Sequence, residues 1–177
     1  MMMQAMAEAD EGADGGAGEG LADLYREHYA SLVRLASLLL HDVGAAEDVT
    51  QDAFAQVHVA WGRIREPGKA LAYVRSAVLN GARSRMRHLH VVDRHRPEPR
   101  RDTQSAEAGA LSGEEHRVVI AALRALPERQ RECLALRYYL GLSEAEIAET
   151  LGISAGSVKT HTHRGLGALE KTLEAPA

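Results

Sequence analysis

The sequence predicts an all-α chain: two small helical domains joined by a flexible linker, the C-terminal one holding a helix-turn-helix. Three observations carry this. Phe54 and Trp61 are the only aromatics beside five tyrosines, so a core must rest on Leu, Val, Ile and Ala, residues that suit packed helices. Apolar residues recur at helical spacing in several stretches, and no regular alternation marks a strand. Between two such sets of stretches, Val91–Gly113 gathers prolines, clustered charge and a Thr-Gln-Ser-Ala-Glu-Ala-Gly run, the composition of a linker. The domains are therefore placed at residues 21–90 and 114–177, each with a core of modest size.

Taken in order, residues 1–20 carry Glu8, Asp10, Glu11, Asp14 and Glu19 with no Lys or Arg and no periodicity, which predicts a disordered acidic tail. From Leu21 to Leu40 the stripe Leu24, His28, Leu32, Leu35 and Leu39 predicts an amphipathic helix, broken at His41–Gly44. A second helix is expected over Ala45–Trp61, with Val49, Ala53 and Val57 inward and Phe54 at the edge. Its Asp48, Gln51 and Asp52 share another face. A turn at Gly62–Gly68 leads into a long helix over Lys69–Leu89, lined inside by Leu71, Val74, Val78, Ala82 and Met86.

The outer side of that long helix presents Ser76, Asn80, Arg83, Ser84 and Arg87, with Arg85 close by and no Glu among them. A solvated helix face ordinarily mixes Glu with Arg in pairs four residues apart. Arg and Asn unmatched by acids is instead a composition that holds phosphates and base edges. The chain as a whole has a net charge of −4, which excludes coating nucleic acid by bulk electrostatics and shifts the weight to local distribution.

Beyond the linker, Glu114–Leu126 is expected to be helical, with Val118, Val119, Ala122 and Leu126 apolar. Pro127 opens the next helix, where Cys133, Leu134 and Leu136 pack. Leu142–Arg164 reads as two helices around a tight turn. Ser143 with Glu146 forms a capping box, Ile147 and Leu151 fall on one face, and Gly152 stops the helix in the left-handed conformation. Ser154 caps the second helix, whose Val158, Thr162, Leu166 and Leu169 are expected inward. Lys159, Thr160, His163 and Arg164 then share the opposite face, which suits the major groove of DNA. An αα-hairpin with a solvated polar face fits the same pattern.

Catalytic chemistry finds little support. The chain has no Gly-rich phosphate loop, paired-carboxylate signature or nucleophile elbow. His88-x-His90 and His161-x-His163 point roughly 200° apart on a helix and chelate a metal poorly. No cofactor, metal or enzyme activity is expected. The single Cys133 suits a reducing cytoplasm, and no apolar run reaches membrane-spanning length.

Two arginine-bearing helical modules on a linker, the second a helix-turn-helix, resemble a bacterial RNA polymerase sigma factor of the extracytoplasmic-function group in the sigma-70 family. Ala46–Phe54 is similar to that family's polymerase-binding helix, Pro67–His88 to its promoter-melting and minus-10-reading helix, and Leu126–Leu169 to its minus-35-reading domain. The resemblance implies that Asp48, Gln51, Asp52 and Phe54 engage the clamp of the polymerase largest subunit. It implies that Asn80, Arg83, Ser84 and Arg87 hold the single-stranded minus-10 element, and that Lys159, Thr160, His163 and Arg164 read the minus-35 duplex with Ser157 near a phosphate. The partners it implies are core polymerase (clamp and flap regions), promoter DNA and the anti-sigma factor that group members commonly have. His161, Gly165 and Gly167 stand where family recognition helices often carry more arginine, which implies fewer phosphate contacts. A LuxR-type transcriptional regulator would suit Leu142–Thr162 nearly as well, but should bring a receiver or ligand-binding domain in place of Leu21–His90.

Overall fold

A computed structural model describes residues 8–40, 42–64, 66–93 and 114–174. The helices are α1 (Glu8–Leu40), α2 (Val43–Ala60), α3 (Ala70–Asp93), α4 (Glu114–Ala125), α5 (Glu128–Leu134), α6 (Glu144–Leu151) and α7 (Ala155–Glu174), and no strand occurs among the described residues. A π-helical turn, Ala135–Tyr139, continues α5.

The three helices α1, α2 and α3 pack on one another as the first domain. Asp42 starts α2 by accepting the Ala45 N–H at 2.9 Å, a side-chain cap that satisfies one orphan donor. Leu32, Leu35, Leu39, Val49, Ala53, Val57, Val74, Val78 and Ala82 are all buried, as their spacing predicts. Leu79, not counted among the inward residues, is buried as well. Gly81 sets the approach of α3 to α2: a Cβ there would stand 2.8 Å from Val49 Cγ1.

Two boundaries differ from the sequence reading. The helix α1 begins at Glu8, so residues 8–20, expected to be disordered, are helical. Extending an existing helix costs far less than nucleating one, and the packed Leu21–Leu40 stretch supplies the nucleus. The helix α3 runs to Asp93, past the expected linker start at Val91. Residues 1–7 of the acidic tail and 94–113 of the linker lie outside the described residues.

In the second domain α7 packs on α4, α5 and α6. Val158 is fully buried, but Leu166, expected inward, is 41% exposed. Helical geometry explains the difference: at about 100° per residue, position 165 falls roughly 20° from Val158 and position 166 roughly 80°. Gly165 takes the buried place, and a Cβ on it would meet Leu134 Cδ1 at 2.9 Å. Val118 and Val119 are also exposed, at 46% and 43%, while Ala122 and Leu126 are buried.

The two domains touch. The helix α3 lies against α6, and α1 lies against α4 and the π-helical turn. Leu32, Val74 and Leu79 of the first domain and Cys133, Leu136, Leu142 and Ile147 of the second belong to one continuous apolar core.

Two glycines on α7 give opposed expectations. Ala has a helix propensity about 1 kcal/mol better than Gly, whereas forcing a methyl into a packed contact costs about 1–3 kcal/mol. Gly167, with nothing within 4 Å of a built Cβ, should therefore gain stability on Gly167→Ala. Gly165→Ala should lose it, by up to about 2 kcal/mol net. Urea denaturation of the two variants checks the sign of each.

Candidate functional site

The helix-turn-helix is fixed by its caps. Ser143 Oγ accepts the Glu146 N–H at 3.2 Å and Glu146 Oε2 accepts the Ser143 N–H at 2.8 Å, completing the capping box. Gly152 adopts φ 65° and ψ 38°, and the Ile153 N–H reaches back to the Ala148 carbonyl at 3.1 Å, a Schellman-type closure that only a left-handed residue allows cheaply. Ser154 Oγ then accepts the Ser157 N–H at 3.1 Å, starting α7.

With α7 so placed, Lys159, Thr160, His163 and Arg164 are all exposed on one arc, and Ser157 is half-buried at its start. Lys159, His163 and Arg164 have no acidic partner among the described residues. Thr160 donates its hydroxyl hydrogen to the Gly156 carbonyl at 2.9 Å, leaving its methyl and oxygen lone pairs for an outside partner. Ser157 Oγ lies 2.9 Å from Ser154 Oγ, so one hydrogen is shared between them.

The α2 face is equally open. Asp48, Gln51 and Asp52 are exposed, and neither aspartate has an ion-pair partner among the described residues. Gln51 donates to Tyr29 OH at 3.3 Å, which leaves its carbonyl free. Phe54 departs from expectation. It is 5% exposed and meets the Tyr25 ring at 5.0 Å and the Tyr29 ring at 6.4 Å between centroids. Position 54 lies opposite Asp48 and Asp52 around α2, so its side chain supports the face from behind and offers no surface of its own.

On α3, Asn80, Ser84, Arg85 and Arg87 are exposed, and Arg85 and Arg87 have no acidic partner among the described residues. A groove of about 740 Å³ runs between α2 and α3, with Asp48, Gln51 and Asp52 on one wall and Asn80, Ser84 and Arg85 on the other. Residues assigned separately to two partners thus border one space.

Arg83 is the second departure. Its Nε donates to Glu132 Oε1 at 2.6 Å and its Nη2 to Glu132 Oε2 at 3.0 Å, a two-pronged pair across the domain boundary. Its Nη1 donates to Asn80 Oδ1 at 2.9 Å, and Glu128 lies 3.6 Å from Nε. The expectation of a face unmatched by acids fails here, because the acids come from α5, beyond the reach of any local pairing count. Glu132 is 1% exposed and also accepts from Arg129 at 3.1 Å. An acid beside the apolar run Cys133–Leu136 was the one available signal, since a buried carboxylate requires a cation.

Further bonds join the domains. Ser76 Oγ donates to the Thr150 carbonyl at 2.9 Å, and Arg34 Nε donates to Tyr139 OH at 2.7 Å. Lys69 lies 3.1 Å from Glu66 and 3.9 Å from Glu149, which together hold its ammonium pKa above the ordinary value. Burial pushes the Arg75 guanidinium down, opposed by the Glu146 charge. Burial likewise pushes the Cys133 thiol up to about 11, which leaves it unreactive. Among the described residues no three His, Cys, Asp or Glu side chains converge as a metal site, and no helix is long and apolar enough to cross a membrane.

Comparison with known proteins shows the family. The family Sigma-70 region 2 matches residues 24–90, and the family Sigma-70, region 4 matches residues 116–169. The ECF RNA polymerase sigma factor SigK of Mycolicibacterium vanbaalenii is 31% identical over 170 residues, covering 88% of this chain and 82% of that protein. The chain belongs to the extracytoplasmic-function (ECF) group of the sigma-70 family. The RNA polymerase sigma-E factor of Streptomyces coelicolor is 31% identical over 153 residues, covering 85% of this chain and 84% of that protein. Among solved structures, the sigma factor RpoE in complex with the anti-sigma factor NepR from Bartonella quintana superposes with a TM-score of 0.71 at 20% identity, over 88% of this chain and 99% of that one. CnrH in complex with the cytosolic domain of CnrY gives 0.70 at 22%, over 91% and 96%. A region 2 match over residues 24–90 stands where a LuxR-type regulator would carry its receiver or ligand-binding domain, so that reading is not favoured.

The capping box of this ECF chain makes an acid-sensitive contribution. Hydrogen bonds from Ser143, backbone first and then side chain, hold the Glu146 carboxyl below its ordinary 4.5. A depressed carboxyl binds fewer protons folded than unfolded, so its stabilisation is complete above about pH 4.5 and is lost as pH falls through the lower folded value. Glu146→Ala removes the carboxylate itself and should cost about 1 kcal/mol near neutrality, and thermal melts should show the gap from wild type narrowing as pH falls below about 4.5.

Proposed function

We propose that this sigma factor binds core RNA polymerase through α2 and directs promoter-specific initiation by reading a minus-35 duplex with α7 and a melted minus-10 strand with α3. The observation that carries the proposal is the α7 face, where Lys159, His163 and Arg164 stand exposed without acidic partners on a capped helix-turn-helix. Uncommitted cations on a helix of this kind are suited to phosphate and base contact.

Roles follow from the geometry of each side chain. Arg164 and Lys159 are donors for guanine edges or phosphates. The Thr160 hydroxyl hydrogen is already given to Gly156, so its methyl is open to a thymine methyl and its oxygen can only accept. Ser157, at the helix start, adds a phosphate contact favoured by the helix dipole. On α2, Asp48 and Asp52 meet a basic surface of the polymerase clamp, with Gln51 beside them and Phe54 holding the helix in place. On α3, Asn80, Ser84 and Arg87 hold the extruded strand, and Arg83 joins them once released from Glu132. Few cations per face make each contact weak, so the domains act together on polymerase. A sigma factor of the same fold was captured with an anti-sigma factor, and an anti-sigma partner is proposed here too.

Run-off transcription with core polymerase and mapped start sites tests the whole reading, and absence of any specific start would overturn it. In the same assay Asp48→Arg with Asp52→Arg should abolish co-purification with core while circular dichroism stays unchanged. Arg164→Ala should weaken promoter binding by about 1–3 kcal/mol if it contacts a base. An equal loss on every promoter would assign Arg164 to a phosphate instead.

A further inference from the structure

We propose that the polymerase-binding face extends from α2 onto α1, where the Tyr25 ring is an aromatic anchor for a lysine or arginine side chain of the partner. The inference rests on the reading of α2 as the polymerase-binding helix, and it adds a second helix and a side-chain chemistry to that contact.

The sequence offers Phe54 as the aromatic of this face, and the structure hands that place to a tyrosine. Phe54 is 5% exposed and has no surface to give. Tyr25 covers it edge-on, with ring centroids 5.0 Å apart and planes at 66°. Tyr25 also stacks on Tyr29, one helical turn along α1, at 4.5 Å and 25°. Tyr25 is the outer member of the cluster: it is 40% exposed, whereas Tyr29 is half-buried. An exposed ring is ordinarily free to change rotamer. This one is held by two other rings in the stacked and edge-to-face arrangements that aromatic pairs prefer. Its position is therefore set before a partner arrives, and little side-chain freedom remains to be lost on binding.

The ring is continuous with the acidic face. Gln51 donates to the Tyr29 hydroxyl at 3.3 Å, which ties the tyrosine pair to α2. On α2, Glu47, Asp48 and Asp52 are exposed and have no ion-pair partner among the described residues. At about 100° per residue, Glu47, Asp48, Gln51 and Asp52 span an arc of roughly 140°, and Phe54 with its covering tyrosines lies at the edge of that arc. Carboxylates beside a fixed ring face suit a cation on an apolar stem. An arginine or lysine laid on the ring gains a cation–π contact while the neighbouring acids share its charge. Tyrosine and arginine are also the types that dominate interface energies. A nucleic-acid strand does not fit here, because the acids repel its phosphates. Tyr73 is exposed as well, but no aromatic ring among the described residues packs on it.

Surface plasmon resonance of the full-length chain on immobilised core polymerase, without DNA, tests the anchor. Tyr25→Leu keeps an apolar cover over Phe54 and removes the ring; it should weaken binding on the order of tenfold or more while the thermal melt stays close to that of wild type. Tyr25→Phe, which keeps the ring and loses the hydroxyl, should bind nearly as wild type. Tyr25→Arg should lose at least as much as Tyr25→Leu, since it sets a cation against a cation. Tyr73→Ala should leave core binding unchanged. Wild-type binding by both Tyr25→Leu and Tyr25→Arg, with binding lost on charge reversal at Asp48 and Asp52, would overturn the anchor and leave the α2 reading standing. Binding unaffected by those charge reversals would overturn the α2 reading, and the anchor with it. An equal loss in Tyr25→Phe and Tyr25→Leu would assign the contact to the hydroxyl and overturn ring stacking.

Discussion

Glu132 is the constraint on which the arrangement of this molecule turns. A carboxylate at 1% exposure cannot stand unpaired among Cys133, Leu134 and Leu136, because the desolvation of an isolated charge far exceeds what packing returns. Arg129, one turn earlier on α5, supplies one cation. The second comes from α3, and its two-pronged geometry fixes both the distance and the rotation of α5 against that helix. Through α5 it also places α7, which packs on α5 at Gly165 with no room for a side chain. The exposed faces of α7 and α3 are thus held in a set relation by one ion pair and one missing Cβ.

Around this closed interface the remaining polar faces are left open. Asp48 and Asp52 on α2, Arg85 and Arg87 on α3, and Lys159, His163 and Arg164 on α7 have no ion partners among the described residues. Elsewhere the chain pairs its charges readily, as at Lys69 with Glu66. The net charge of −4 therefore says little about partners. What matters is that acids and bases of these faces are segregated by helix, acidic on α2 and basic on α3 and α7, so that one molecule can meet a basic protein and an acidic polymer at once.

Most of the local structure was legible in the sequence because local rules govern it. Ser143, Glu146, Gly152 and Ser154 specify the helix-turn-helix through hydrogen bonds spanning three to five residues, and each lies where those rules place it. Leu166 was misplaced because an i, i+4 count drifts by about 40° per step from a true helical stripe, whereas the seven-residue step to Gly165 does not. The helical span of residues 8–20 was missed because glycine and acid content describe an isolated segment, not one continuing a packed helix. The surroundings of Phe54 and Arg83 are not legible in the sequence for a different reason. Both depend on partners far along the chain, Tyr25 and Tyr29 for one and Glu132 for the other. No periodicity within a single helix encodes those contacts.

An ion pair is a poor choice for holding domains together permanently. Apolar side chains of similar volume often match or exceed a buried pair in stability, and burying one Leu or Val contributes roughly 1.5–3 kcal/mol without any desolvated charge. What the pair supplies is direction: the planar fork of Arg83 meets both Glu132 oxygens in one placement of α5 against α3, whereas apolar side chains of similar volume would tolerate several.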